Sequence, residues 1–423
     1  MSAHFNAVLL TSASHRLVSR RHPLLMLLNR RSILVAMTTT ASSFSLLPSH
    51  PHLQQSIDLL NSVYGPVDSH EFPRPMSRHE AGPCFATAYS SPHQEQRRYL
   101  WTDAFAVCAY HAIANIYAEN DMPDQSNFYR NAVEKLILTV HSCLGRPRSE
   151  REEDAMTPCH VSPTGYVGLR IGKVESRSDT DYGMTFDGQY FHYIDKWLLA
   201  LSRTNHVEDG LRIAKSIFPH FFEKRNGGSG GVRWKLSVNA RPPSALPPTF
   251  GPNDDTLNAL IVFTLLETQR QRNNQCMPSL SLSKEIETLQ DSLRNYRPRV
   301  TDDPLGWGLE AIFDQFVEGH PRTDQLRNLA SEALDPSHIA LPFRLYGALI
   351  GATVSSEDLV SSSRLEKLRQ FCIQHQLREM ERTMTSSGGY EEEHSAINRV
   401  MLAVALLGPG TLRRTQDDQM VQY

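Results

Sequence analysis

The stretch Asp181–Leu201, DYGMTFDGQYFHYIDKWLLAL, decides how the rest of the chain is read. It starts polar and glycine-broken and ends as an amphipathic helix, with Phe191, Ile194, Leu198 and Leu201 at helical spacing. Phe186-Asp187-Gly188 reads as the loop leading in, and the helix is expected from about Gly188 to Arg203. A carboxylate at Asp187 is placed to accept orphan backbone N–H groups and to meet the positive end of the helix dipole. Gln189, Tyr190, His192 and Tyr193 crowd the first turns. That is more hydrogen-bonding equipment than a cap requires, so this helix end is a candidate substrate-facing surface.

Working outward, the same grammar repeats. Expected helices cover Leu53–Val63, Tyr99–Glu119, Phe128–Leu144, Val207–Phe222, Asp255–Gln269, Leu282–Tyr296, Trp307–Val317, Thr323–Leu334, His338–Gly351, Ser355–Met384 and Ser395–Leu407. Residues 66–98 have no period and read as a loop; Asn226–Gly231 is a glycine-rich loop; Val232–Val238 fits a short strand; Arg241–Pro252 is proline-rich and irregular. With the helix near Gly188 the total is about twelve, with little strand. Consecutive helices joined by loops tend to lie antiparallel and adjacent. Twelve in a row can close as an all-α (α/α)6 toroid, six helices inside and six outside. The loops that carry chemistry precede every second helix. They hold Asp103, Asp187, Asp254 with Asp255, Asp302 with Asp303, His338, and Glu391 to His394.

Composition narrows the classes. With 423 residues, 40% hydrophobic content and a net charge of -3, the chain reads as a globular protein without the basic footprint of a nucleic-acid or anionic-membrane binder. The six cysteines include no CxxC pair, which fits a reducing compartment and removes zinc ribbons and dithiol redox sites. No acidic residue precedes Asp58, while Arg16, Arg20, Arg21, Arg30 and Arg31 lie among Ser, Thr and Leu. Residues 1–52 are therefore expected to be a disordered tail, a mitochondrial-type transit peptide, or an extension ahead of a start at Met37. The toroid domain is expected over 53–410, followed by a polar tail, 411–423. The location is expected to be cytoplasmic, or mitochondrial if the tail targets. The partner is expected to be a small-molecule substrate, with no nucleic acid, membrane or cofactor; oligomeric state is left open.

The blocks Tyr99-Leu-Trp-Thr-Asp-Ala-Phe105, Leu169-Arg-Ile-Gly-Lys173, Asp187-Gly-Gln-Tyr-Phe-His-Tyr193, Trp234-Lys-Leu-Ser237, Gly251-Pro-Asn-Asp-Asp255 and His394-Ser-Ala-Ile-Asn398 resemble the six-hairpin glycosidase-like superfamily, and within it a narrower family without an assigned activity. The resemblance spans roughly 99–408. It implies an (α/α)6 fold with a pocket at one mouth, and no particular reaction. Asn253 stands where a His is expected.

Glycoside cleavage needs two carboxyl groups, one donating a proton and one acting as base or nucleophile. The expected pair is Asp187 as general acid with Asp103 or Asp254 as base. Tyr190, His192, Arg170, Lys173, Glu393, His394 and Asn398 are expected to bind or orient substrate, and Trp101, Trp234 and Trp307 to offer flat platforms for sugar rings. Two alternatives stay open. One is an isomerase or cyclase of a biosynthetic pathway in which His192 and His394 exchange protons. The other is a non-catalytic helical scaffold. No HExxH occurs, and His192 with Asp195 is a poor metal pair, so no metal site is expected. Gly168–Lys173 is one residue short of a P-loop, so Arg170 and Lys173 are read as a greeting for an anionic group. There is no GxSxG elbow, and Cys108 lies on an apolar helix face.

Overall fold

Among the described residues, every second helix is the buried one. In the computed structural model the described residues are 47, 50–76, 97–145, 168–173, 187–224, 230–238, 240–242, 254–272, 278–355, 359–386 and 394–423. The expectations for residues 1–46, for 181–186, for most of the 226–231 loop, for Asn253 and for Glu393 fall outside them. Among the described residues there are twelve α-helices and four two-residue strands. The helices are α1 Leu53–Tyr64, α2 Leu100–Glu119, α3 Pro123–Leu144, α4 Phe191–Ser202, α5 Val207–Phe221 and α6 Asp255–Arg272. They continue as α7 Ser283–Leu293, α8 Pro304–Asp314, α9 Thr323–Ala333, α10 Pro342–Val354, α11 Ser362–Thr385 and α12 Ser395–Leu407. All belong to the unit Leu46–Tyr423.

The even helices read apolar around most of their circumference and are buried to match. Every residue of α4 is buried, as is nearly all of α8 and α12. The odd helices are amphipathic; α7 buries only Leu289 and Leu293, and α9 only Leu326, Ala330 and Ala333. A helix with apolar residues all round lies in a core, and one with a single stripe lies over it. Contacts follow this division. Helix α2 packs on α4, α4 on α6, α8 on α10, α10 on α12, and α12 back on α2; α1 lies against α12 and α3 against α2. Glycines bring α8 and α10 together: a Cβ on Gly351 would sit 2.5 Å from the Cα of Gly308. No helix among the described residues is long and apolar enough to cross a membrane.

Between α6 and α8 the chain's last residues are laid in. Thr268 donates to Gln419, Arg272 pairs with Asp417, Val421 exchanges backbone bonds with Phe316 and Glu318, and Tyr423 packs its ring on Tyr296. Asp418 is buried against Arg203, which follows α4. The segment read as a polar tail thus contributes buried contacts.

Five helix starts differ from the sequence reading by three residues or more; α8 begins at Pro304 where Trp307 was expected, and α11 at Ser362 where Ser355 was expected. Helix α4 begins at Phe191, not Gly188, because β1 (Gln189–Tyr190) pairs antiparallel with β4 (Lys235–Leu236). Helix α10 begins at Pro342, after a 3-10 turn over Pro336–Ala340; proline disfavours helical backbone at Leu341 and suits the first helical position itself. Helix α3 begins five residues early for the same reason, at Pro123. The expected 232–238 strand is split: β3 (Gly231–Val232) pairs with β2 (Phe222–Glu223), and only β4 faces β1.

Candidate functional site

Four of the blocks quoted above are tied into one backbone knot at the start of α2 and α4. Residues 168–173 run between them: Leu100 N–H donates to the Ile171 carbonyl at 3.0 Å, and Ile171 N–H to the Gly188 carbonyl at 2.8 Å. The Phe191 N–H donates to the Trp234 carbonyl at 2.9 Å, next to the β1–β4 pair. Gly172 adopts φ +91, and a Cβ there would strike the Arg98 carbonyl, so only glycine fits this crossing.

Asp103 and Asp187 sit in this knot, each matched with an arginine. Asp103 has a fully buried side chain; Arg98 donates through Nε at 3.0 Å and Nη2 at 2.5 Å, and the Tyr64 hydroxyl adds a bond at 3.0 Å. Asp187 accepts from Gly172 N–H at 2.9 Å, Gly188 N–H at 3.0 Å and Arg170 Nη1 at 3.0 Å. Arg170 continues to the Cys143 carbonyl at the end of α3. Asp187 does not cap α4: that N-cap position is Tyr190, with no side-chain cap. A bidentate, fully desolvated arginine–carboxylate pair is a structural joint. That describes Asp103; Asp187 takes one arginine bond, from Arg170 whose side chain is 16% exposed, and two backbone N–H bonds. Asp254 is likewise paired, with the buried Arg322 that precedes α9.

A second set of acids lies on α4 and α6. Asp195 is fully buried; its Oδ2 accepts from the adjacent Lys196 ammonium at 2.9 Å and from Asn258 Nδ2 at 3.0 Å, and its Oδ1 has no hydrogen-bond partner. Asp255, 2% exposed, has no hydrogen-bond partner on either oxygen. Burial first, and then the neighbouring Asp195, push the Asp255 carboxyl well above the usual carboxylate range, with Lys196 pulling the other way. Burial also raises Asp195, against Lys196 and Asn258. Two carboxyls and one ammonium in a water-poor space favour a shared negative charge and a retained proton. On α8, burial raises Glu310 to about 7 although it accepts from the Thr301 N–H at 2.9 Å.

Aromatic residues gather at the start of α4. His192 stacks on Tyr190 at 5.9 Å and meets the edges of Trp101 and Tyr193. Its Nδ1 is buried without a hydrogen-bond partner. Burial, then Lys196 and Lys173, lower its pKa to about 3, so the ring is neutral. The Lys235 ammonium lies 5.2 Å from the Tyr190 ring centre and 5.8 Å from that of Trp234, which is half-buried. The Tyr99 and Tyr193 hydroxyls are 2.6 Å apart. Trp101, Trp234, Tyr190, His192, Arg170 and Asp187 are therefore neighbours through this network; Lys173, nearly buried, is the second cation acting on His192. Trp307 is elsewhere: fully buried, its indole N–H donates to the Leu326 carbonyl at 2.9 Å between α8 and α9, which leaves no face for a sugar ring. His394 has left-handed backbone at the start of α12 and packs on Phe343, and Asn398 is buried one turn later.

Asp195 and Lys196 did carry a sequence signal. They are adjacent charges that share a helix face with His192, on a helix whose every residue is buried. Among the described residues, no group of three or more His, Cys, Asp or Glu is arranged to hold a metal ion. Comparison with family models, curated proteins and solved structures returned no match.

Proposed function

We propose that this protein is a glycosidase-like enzyme that hydrolyses a sugar-containing or similarly polar small molecule by acid/base chemistry, on helices closed as an (α/α)6 toroid. The alternation of buried and covering helices and the packing of α12 back on α2 support the ring. The likeness of the quoted blocks to six-hairpin glycosidases points the same way. The observation that carries the chemistry is Asp255, a buried carboxyl without a protein hydrogen bond beside Asp195 and Lys196. Asp255 keeps its proton and donates it to the leaving oxygen. Asp195, held by Lys196 and Asn258, is the ionised partner that draws a proton from water or attacks directly. Trp234, Tyr190, Trp101 and neutral His192 form the approach, with Lys173 and Lys235 beside them. The isomerase alternative loses weight here, because an imidazole with a pKa of about 3 is a weak base at neutrality.

Hydrolysis of a panel of 4-nitrophenyl glycosides by the full chain and by Asp255→Asn tests the reading. The wild type is expected to cleave at least one, and the variant to lose about 100-fold or more with unchanged thermal unfolding. An equally active variant, or a wild type that cleaves none, removes the assignment.

A further inference from the structure

Beginning at Trp197 of α4, a chain of polar groups joins three helices and is used by nothing described above. Trp197 follows Lys196 on α4, and its indole N–H donates to His141 Nε2 of α3 at 3.2 Å. His141 Nδ1 faces Asp209 Oδ2 of α5 at 3.9 Å. The same Asp209 oxygen lies 2.8 Å from His206 Nδ1, just ahead of α5, and His206 Nε2 lies 2.7 Å from Glu134 Oε2 of α3.

The two short distances fix the state of His206. An ionised carboxylate only accepts, and a neutral imidazole carries one N–H. Two imidazole–carboxylate hydrogen bonds on one ring require both nitrogens protonated, so the folded protein holds His206 as the imidazolium. We propose that His206, seated between Glu134 of α3 and Asp209 of α5, is a proton-dependent clasp that binds these helices together and opens on the alkaline side. Loss of the proton leaves one N–H for two carboxylates. One bond then becomes a lone-pair repulsion, and α3 and α5 lose a tie beside the helix that carries Asp195 and Lys196.

The surroundings agree. From α3 the ring is faced by Glu134 and His141, and from α5 by Asp209, which Arg212 also attracts. Helix α4 brings the uncharged Trp197 to His141. Helix α6 meets α5 through Leu266 at Gly210, and its Glu267 is turned to Arg270, Ser281 and Leu282. Burial opposes the charge on His206, but the bonds to Asp209 and Glu134 outweigh it and raise its pKa. His141 is the reverse: burial lowers it to about 4, so it stays neutral and accepts the indole proton. A folded-state pKa raised above 6.5 means that the stabilisation is complete below that pH and is lost as pH rises through the folded value.

The test uses the full chain. Imidazole carbon–proton signals followed by NMR give the His206 titration, and urea midpoints from about pH 6 to about pH 9 give the stability. His206 is expected to titrate above its ordinary value, Glu134→Gln to lower that titration, and the wild-type midpoint to fall with rising pH. In Glu134→Gln the fall is expected to be shallower, and in His206→Gln absent. Glu134 is partly exposed, so its variant is expected to fold even where the His206 variant does not. A His206 that titrates at or below the ordinary value overturns the clasp, and so does a Glu134→Gln midpoint with the wild-type pH dependence.

Discussion

Asp103 and Asp187 are buried carboxylates with full sets of donors; Asp195 and Asp255 are buried carboxyls without them. Asp103 and Asp187 stand at the start of α2 and ahead of α4, Asp195 and Asp255 on the facing turns of α4 and α6. Their environments differ in kind. An acid that receives an arginine and one or two further donors is held in place. A buried oxygen left unbonded, one on Asp195 and both on Asp255, is an unsatisfied interaction that a proton or a water can relieve. The difference teaches that burial alone does not mark a reactive group. The count of donors around it does.

Several measurements would break or sharpen this contrast. The largest effect is expected from Arg98→Met, which strands the Asp103 charge in the interior. Chemical denaturation should register a loss of about 3–5 kcal/mol, and a loss below about 1 kcal/mol would mean that the pair is no joint. Gly172→Ala attacks the same knot through its backbone, since positive φ and the Arg98 carbonyl both oppose a side chain. A cost of about 1–3 kcal/mol is expected in the same assay. Asp255→Asn is the counterpart in the other pair. Its urea midpoint should stay or rise by the equivalent of about 1 kcal/mol or less, since removal of an unsatisfied ionisable group releases a burial cost. A large destabilisation there would place Asp255 with Asp103 as a structural acid. The smallest expected change is a null one: His192 ring signals should not move between about pH 5 and about pH 8, because the ring protonates only near pH 3. Movement near pH 6.5 would restore His192 as a proton-transfer candidate.

The helical plan was legible because period and punctuation write it directly. Ser395–Leu407 is bounded in the chain by its own apolar run and by Gly408-Pro409. Leu53–Tyr64 ends where Gly65-Pro66 requires it to end. The places that shifted were those where a distant segment competed with local preference. Gln189 and Tyr190 have no local reason to be extended until Lys235 and Leu236 arrive beside them. The donors around Asp103 and Asp187 were not legible, because the guanidinium of Arg98 and the N–H of Gly172 reach them only through folding.

What the amino-acid order determined alone is a mostly helical chain, with about twelve helices whose apolar spacing and terminating glycines and prolines are written locally. What only tertiary structure decided is which acids are satisfied. A carboxylate's state depends on how many donors lie within about 3 Å, and those donors come from residues far off in the sequence.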